Sequence, residues 1–250
     1  MSVRSQSTLG SLVGKLGFRN KFDAADEQAV LDLPHRTKRL ERHGYIVRER
    51  EKTTHSCLML SGFAIRYKIV VGGGRQILSI HMKGDIVDLQ NSFLDVADHS
   101  VQVLTESEVA IIPRDAIKKL ALTRPRVGMA MWSDTLVDGS IFREWIANVG
   151  RRDAYTRLAH LLCEFSLRLK VAGLGEATEY ELPMTQEQLA DCTGLTNVHV
   201  NRTLKTLEAE GLITRRSSRT VVIGDWRKLA EAGDFDSTYL HLPDGQRALA

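Results

Sequence analysis

An α+β chain is predicted by three features of the 250-residue sequence. Short apolar runs broken by glycine fill residues 44–112. A long stretch of helical periodicity follows Pro125. Beyond residue 180, two short helical segments meet at a glycine and lead into a basic hairpin. Apolar residues make up 43% of the chain and charged residues 26%, so a core can form and wholesale disorder is excluded. No run approaches the roughly 18 apolar residues of a membrane span. Residues 1–20 lack the apolar centre and cleavage site of a signal peptide, so the expected location is cytoplasmic. Cys57, Cys163 and Cys192 form no CxxC pair, which suits a reducing compartment and predicts no metal site.

Residues 1–22 carry Arg4, Lys15, Arg19 and Lys21 without an acid. They read as a basic, poorly ordered arm passing into a short helix. The run Cys57 to Val71 then predicts one or two strands. Gly72, Gly73 and Gly74 make a turn, and Gln76 to His81 returns as the partner strand. The triple glycine lacks the GxxxxGK[ST] spacing of a phosphate loop. Gly84 to Asp88, Val101 to Leu104 and Val109 to Ile112 continue the strand series as far as Pro113. Many short strands with frequent turns predict a small barrel or jelly roll within an N-terminal domain of residues 20–124. Asp85, Asp88, Asp95 and Asp98 read as a solvated acidic rim. With no convergent histidines, and with no GxSxG, HExxH or Walker sequence, no enzyme is expected.

Residues 125–150 form the long helix. Met129, Trp132, Leu136, Ile141 and Trp145 lie on more than one of its faces. A helix that is apolar on two faces needs two partners. One is its own domain and the other is a second copy, which makes this a dimerisation helix with those five residues as its interface candidates. A further helix over 153–170 and a loop over 171–178 open the C-terminal domain, residues 151–242.

The densest signal lies in that domain. Thr185 and Gln188 have capping-box spacing after Pro183. Gly194 turns the chain, and Thr196 caps a second helix. Leu189, Leu195, Val200 and Leu204 fill one small core, as in a helix-turn-helix. The opposite face of the second helix carries Val198, Asn201, Arg202 and Lys205, groups that read base edges and phosphates in a major groove. Val198, Asn201 and Arg202 are therefore the base-reading candidates. Thr185, Gln186, Thr196, His199 and Lys205 are backbone candidates, together with Arg215, Arg216 and Arg219 on the β-wing. A protein-binding helix would carry Leu, Met or aromatic anchors on that face, which is how the alternative of a signalling module with a protein partner differs.

These stretches resemble the Crp/Fnr family of bacterial transcription regulators. The resemblance runs from about residue 20 to 242 and is most specific in TQEQLADCTGLTNVHVNRTLKTLEAEGLI, residues 185–213. GDIVD at 84–88, the stretch 136–164, DW at 225–226 and YLHL at 239–242 add to it. It implies a cyclic-nucleotide-binding-like β-roll as effector domain, a homodimer on palindromic double-stranded DNA, and RNA polymerase as a partner if the protein activates. By position it implies an effector pocket at Asp88, His99, Ser100 and Arg143. The sequence departs from the members that bind cyclic AMP, because the Gly-Glu pair and the later Arg-Ser pair are missing. It also lacks the N-terminal cysteine cluster of iron–sulfur members, since residues 1–56 hold no cysteine. No cofactor is predicted. His81 or Cys57 would be the ligand candidates if haem were bound. Val198 stands where many members carry glutamate, whereas Arg202 matches their guanine-reading arginine.

The net charge of +3 averages over unequal parts. Residues 84–115 hold seven acids and one base. Residues 200–220 hold five bases and two acids.

Overall fold

The structure is a computed structural model, and it describes residues 7–18, 20–217 and 219–242. The chain forms two compact units. The first comprises the residues up to Lys68 together with Ser79–Asp138. The second comprises Ile69–Leu78 and the chain from Gly139 onward.

Two antiparallel sheets are built on the first unit, with the segment Ile69–Leu78 at the end of one hairpin grouped with the second unit. One has the order β1 (Arg36–Leu40), β8 (Ser107–Pro113), β3 (His55–Ser61), β6 (Ile86–Val87). The other has the order β2 (Tyr45–Val47), β7 (Ser100–Val103), β4 (Ala64–Ile69), β5 (Arg75–His81). Side chains alternate along a strand, so one strand can serve two cores. In β3, Cys57 and Met59 join the cluster of Leu40, Val47, Val101, Val103 and Val109. Leu58, between them, joins a second cluster with Ile112, Ile117, Val127 and Met131. The run Cys57 to Val71 is split into two strands at Gly62, whose φ of 76° places it in the left-handed region. A Cβ there would meet the Glu106 carbonyl oxygen at 2.6 Å.

Three expectations for this unit are corrected. The N-terminal segment is not a solvated arm where it is described: α1 (Gly10–Gly17) buries Leu12, Val13 and Leu16, with Leu9 just before it. Arg4 and Arg19 lie outside the described residues. Lys15, read as part of a basic arm, donates to Asp85 at 2.6 Å and lies 3.4 Å from Asp134. Asp85 and Asp88 are accordingly not rim residues, since both are buried. Strand pairing also begins earlier than residue 44, at Arg36, opposite Ile111. The sequence RTKRL carries no alternation because β1 is an edge strand with its first four residues exposed. Two helices, α2 (Ala24–Leu31) and α3 (Arg114–Thr123), complete the unit.

The long helix is α4 (Pro125–Arg151). In the second unit α5 (Ala154–Val171) starts at Asp153, whose side chain accepts from the Thr156 backbone N–H. It buries Leu158, Leu161, Leu162, Phe165 and Leu169. A three-stranded sheet has the order β10 (Ile213–Arg215), β11 (Thr220–Ile223), β9 (Glu179–Glu181). It extends the expected two-stranded wing by one strand. Two helices, α6 (Gln186–Thr193) and α7 (Asn197–Ala209), lie before the β10–β11 hairpin. After it, α8 (Trp226–Ala232) packs on α5.

Candidate nucleic-acid interface

Both helix starts of the helix-turn-helix are closed by side chains. The Thr185 hydroxyl accepts from the Gln188 N–H, and the Gln188 side chain accepts from the Thr185 N–H. Thr196 caps α7 by accepting from the His199 N–H at 3.3 Å. Gly194 sits between them at φ 64°. An L-residue there would be strained, and its Cβ would lie 2.8 Å from Cγ1 of Val149. The backbone therefore enters α7 by a route that only glycine takes without cost.

α7 buries Val200, Thr203, Leu204 and Leu207. Its other face offers Val198, which is 76% exposed, with Arg202 and Lys205 exposed beside it. Asn201 is half-buried, and its amide donates to Gln186 Oε1 at 3.2 Å. An Asn and a Gln from two helices are thus held together next to Arg202. The face presents a guanidinium, an ammonium, an oriented amide and one small apolar group.

The wing arginines divide. Arg215 forks onto Glu208 with two bonds, at 2.8 and 2.7 Å. That contact holds the Glu208 carboxyl below its ordinary range and raises Arg215. Arg216 donates to both carboxylate oxygens of Glu179. Arg219 is exposed and has no ion pair among the described residues. Two of the three candidates are therefore tied to acids of their own unit. Sequence reading missed Glu208 and Glu179 because their partners come from other strands or across a turn.

On α4, Met129, Trp132 and Leu136 are 60%, 65% and 59% exposed, and Ile146 is 71% exposed. Ile141 and Trp145 differ from them: both are buried within the chain. Trp145 donates its indole N–H to Glu164 at 2.9 Å. The two residues expected on the partner-facing stripe are thus already covered by their own unit. The helical arc that faces α5 and the arc left bare are not separable by periodicity alone.

Of the effector-pocket candidates, Asp88 and His99 come together. Asp88, at φ 59°, receives Arg66 at 2.8 Å and His99 Nε2 at 2.8 Å, and all three are buried. Burial opposes its charge, but the bond to His99 and the Arg66 guanidinium outweigh burial and hold its carboxyl at about 2. Ser100 accepts from the Glu49 N–H instead. Arg143 belongs to the second unit and donates to Ser140 at 2.7 Å. The buried cation and the imidazole that could hold an anionic phosphate are occupied by an internal carboxylate. These residues do not fit a cyclic nucleotide. Arg66 was missed; its signal was a lone arginine at a buried position of an apolar strand.

The haem-ligand candidates are also committed. His81 is buried, with Nε2 2.9 Å from the Ser79 hydroxyl. Burial, with Asp88 nearby, pushes the Cys57 thiol up to about 12, which opposes a thiolate ligand.

Comparison with known proteins adds a family context. The cyclic nucleotide-binding domain family matches residues 37–124, and the Crp-like helix-turn-helix domain family matches residues 156–232. The transcriptional activator protein FnrL of Cereibacter sphaeroides is 28% identical over 180 residues, covering 70% of this chain and 72% of that protein. The nitrogen fixation regulation protein FixK of Rhizobium meliloti is 28% identical over 170 residues, 67% of this chain and 73% of that protein. Among solved structures, FixK2 from Bradyrhizobium japonicum superposes with a TM-score of 0.74 at 24% identity. It covers 80% of this chain and 98% of that one.

Proposed function

The chain belongs to the Crp/Fnr family of transcription regulators, and from that premise we propose how it engages DNA. It is a sequence-specific DNA-binding transcription regulator. The observation that carries the proposal is α7, capped at Thr196 and presenting Arg202, Lys205 and Val198 to solvent.

Two copies pair along α4 through Met129, Trp132 and Leu136, with Ile146 continuing the exposed stripe. Each copy inserts α7 into one of two successive major grooves, about one helical turn apart. Arg202 donates two bonds to guanine O6 and N7, Val198 packs on a thymine methyl, and Asn201 contacts a base. Thr185, Gln186, Thr196, His199, Lys205 and Arg219 meet phosphates, while Arg215 and Arg216 brace the wing. RNA polymerase is a partner if the protein activates, as relatives bearing the name of activators do. None of the described helices is long and apolar enough to cross a membrane.

The test is Arg202→Ala. Binding-site selection should show one base position relaxed, and gel shifts should show a loss of about 1–3 kcal/mol. A gel shift at two salt concentrations addresses the class of partner, because phosphate contacts give a steep salt slope and a protein-binding helix gives none. Unchanged affinity and an unchanged site logo would remove Arg202 from the interface.

A further inference from the structure

A cleft of about 410 Å³ opens on the first unit, where the end of β1 meets β3 and β8. Its walls are apolar at Pro34, Ile111 and Pro113, and polar at His35, Arg36, Thr54 and His55. Strand register accounts for the grouping: Arg36 lies opposite Ile111, and His55 lies opposite Pro113, on the two sides of β8. Arg36 and Lys38 share a face of β1 because side chains alternate. Both are exposed, and neither has an ion pair among the described residues. A bare edge strand with two uncompensated cations beside two imidazoles is a concentrated positive field.

We propose that this cleft binds a small anion with an apolar body, a carboxylate or a phosphate monoester. The volume falls within the range of small-molecule sites. Arg36 supplies a planar fork for two oxygens, and the proline and isoleucine walls take the apolar part. His35 donates Nδ1–H to the Leu33 carbonyl at 2.8 Å, so Nε2 is its remaining ring nitrogen and becomes a donor on protonation. Thr54 Oγ1 lies 3.2 Å from His55 Nδ1.

The charges around His55 point the same way. Burial first, then Arg36 and Lys38, hold its imidazole below the ordinary range, while Glu51 opposes them. Arg114, just beyond Pro113, spends its guanidinium on the Thr53 carbonyl and Asp95. An anion in the cleft offsets the repulsion from Arg36 and Lys38, so binding and protonation of His55 reinforce each other. The site is separate from the Arg66–Asp88–His99 cluster and does not depend on the DNA-binding reading.

The test uses the full chain without DNA. Histidine ring-nitrogen NMR signals are followed on titration with phenyl phosphate and, separately, benzoate, with sodium chloride at matched ionic strength as control. Saturable shifts of His35 and His55 with one of the two probes are expected, and affinity should rise as pH falls through the titration of His55. In the Arg36→Ala/Lys38→Ala variant, which alters only exposed side chains, affinity should drop tenfold or more with the melting temperature unchanged. Shifts that do not saturate, that chloride reproduces, or that persist in the variant would overturn the proposal.

Discussion

Arg215 and Arg219 stand four residues apart on the wing and differ in what holds them. Arg215 is forked onto Glu208, whereas Arg219 faces solvent. Arg219→Ala should therefore reduce the salt slope of DNA binding by about one and leave melting unchanged. Arg215→Ala should lower the melting temperature and change the salt slope little; equal salt-slope losses in both variants would contradict the division. A second residue-scale prediction concerns Asp138. Burial raises its carboxyl to about 6; the Lys15 and Arg66 cations oppose that rise, and the like charges of Asp134 and Asp85 add to it. Below about pH 4 the group is protonated folded and unfolded, and it costs nothing. As pH rises, the unfolded chain releases its proton first, so stability falls between about 4 and 6 and is flat above. Asp138→Asn should raise the melting temperature at pH 7.5, with the gain gone below pH 4. Thermal melts across that range check it. These pairings were illegible in the sequence. An acidic stretch looks solvated until Lys15 and Arg66 are brought to it by tertiary folding.

At the scale of the element, legibility followed the strength of local rules. The cap Thr185, its partner Gln188, the glycine at 194 and the cap Thr196 each satisfy a backbone requirement within a few residues, and each stands where the sequence indicated. Gly194→Ala should cost about 1–3 kcal/mol, from left-handed backbone strain and the approach to Val149, in chemical melts. It should weaken DNA binding too, because the entry angle of α7 changes. Elements whose burial depends on distant partners were harder to read. β1 shows no period because it is an exposed edge strand. The helix α1 reads as short and basic in isolation, yet its Leu12 and Leu16 complete a core shared with Leu58, Ile112 and Ile117. β9 is only three residues long and draws its meaning from β11.

For the whole molecule, the exposed stripe on α4 carries the expectation of a second copy. Leu136→Glu places a charge on that stripe at a site 59% exposed, so the protomer's own melting should change little. Sedimentation should show a shift to monomer, and operator affinity should fall on the order of 100-fold or more as two linked half-sites become independent. Unchanged mass would move the pairing surface elsewhere. Amphipathicity exposed the need for two partners, but Ile141 and Trp145 are buried against their own unit. Glu164 of α5 and the segment after α8 lie against that part of the helix. Tyr239 donates to Glu164 at 2.7 Å, the same carboxylate that takes Trp145, and His241 lies 3.1 Å from Ser140. Residues 140 and 145 are thus tied, directly or through Glu164, to residues 239–241. For anyone grafting this head onto another regulator, that sets the place to cut. A seam at residue 150 would strand Glu164 without its indole, whereas a graft beginning at Gly139 and running through Leu242 keeps the set whole.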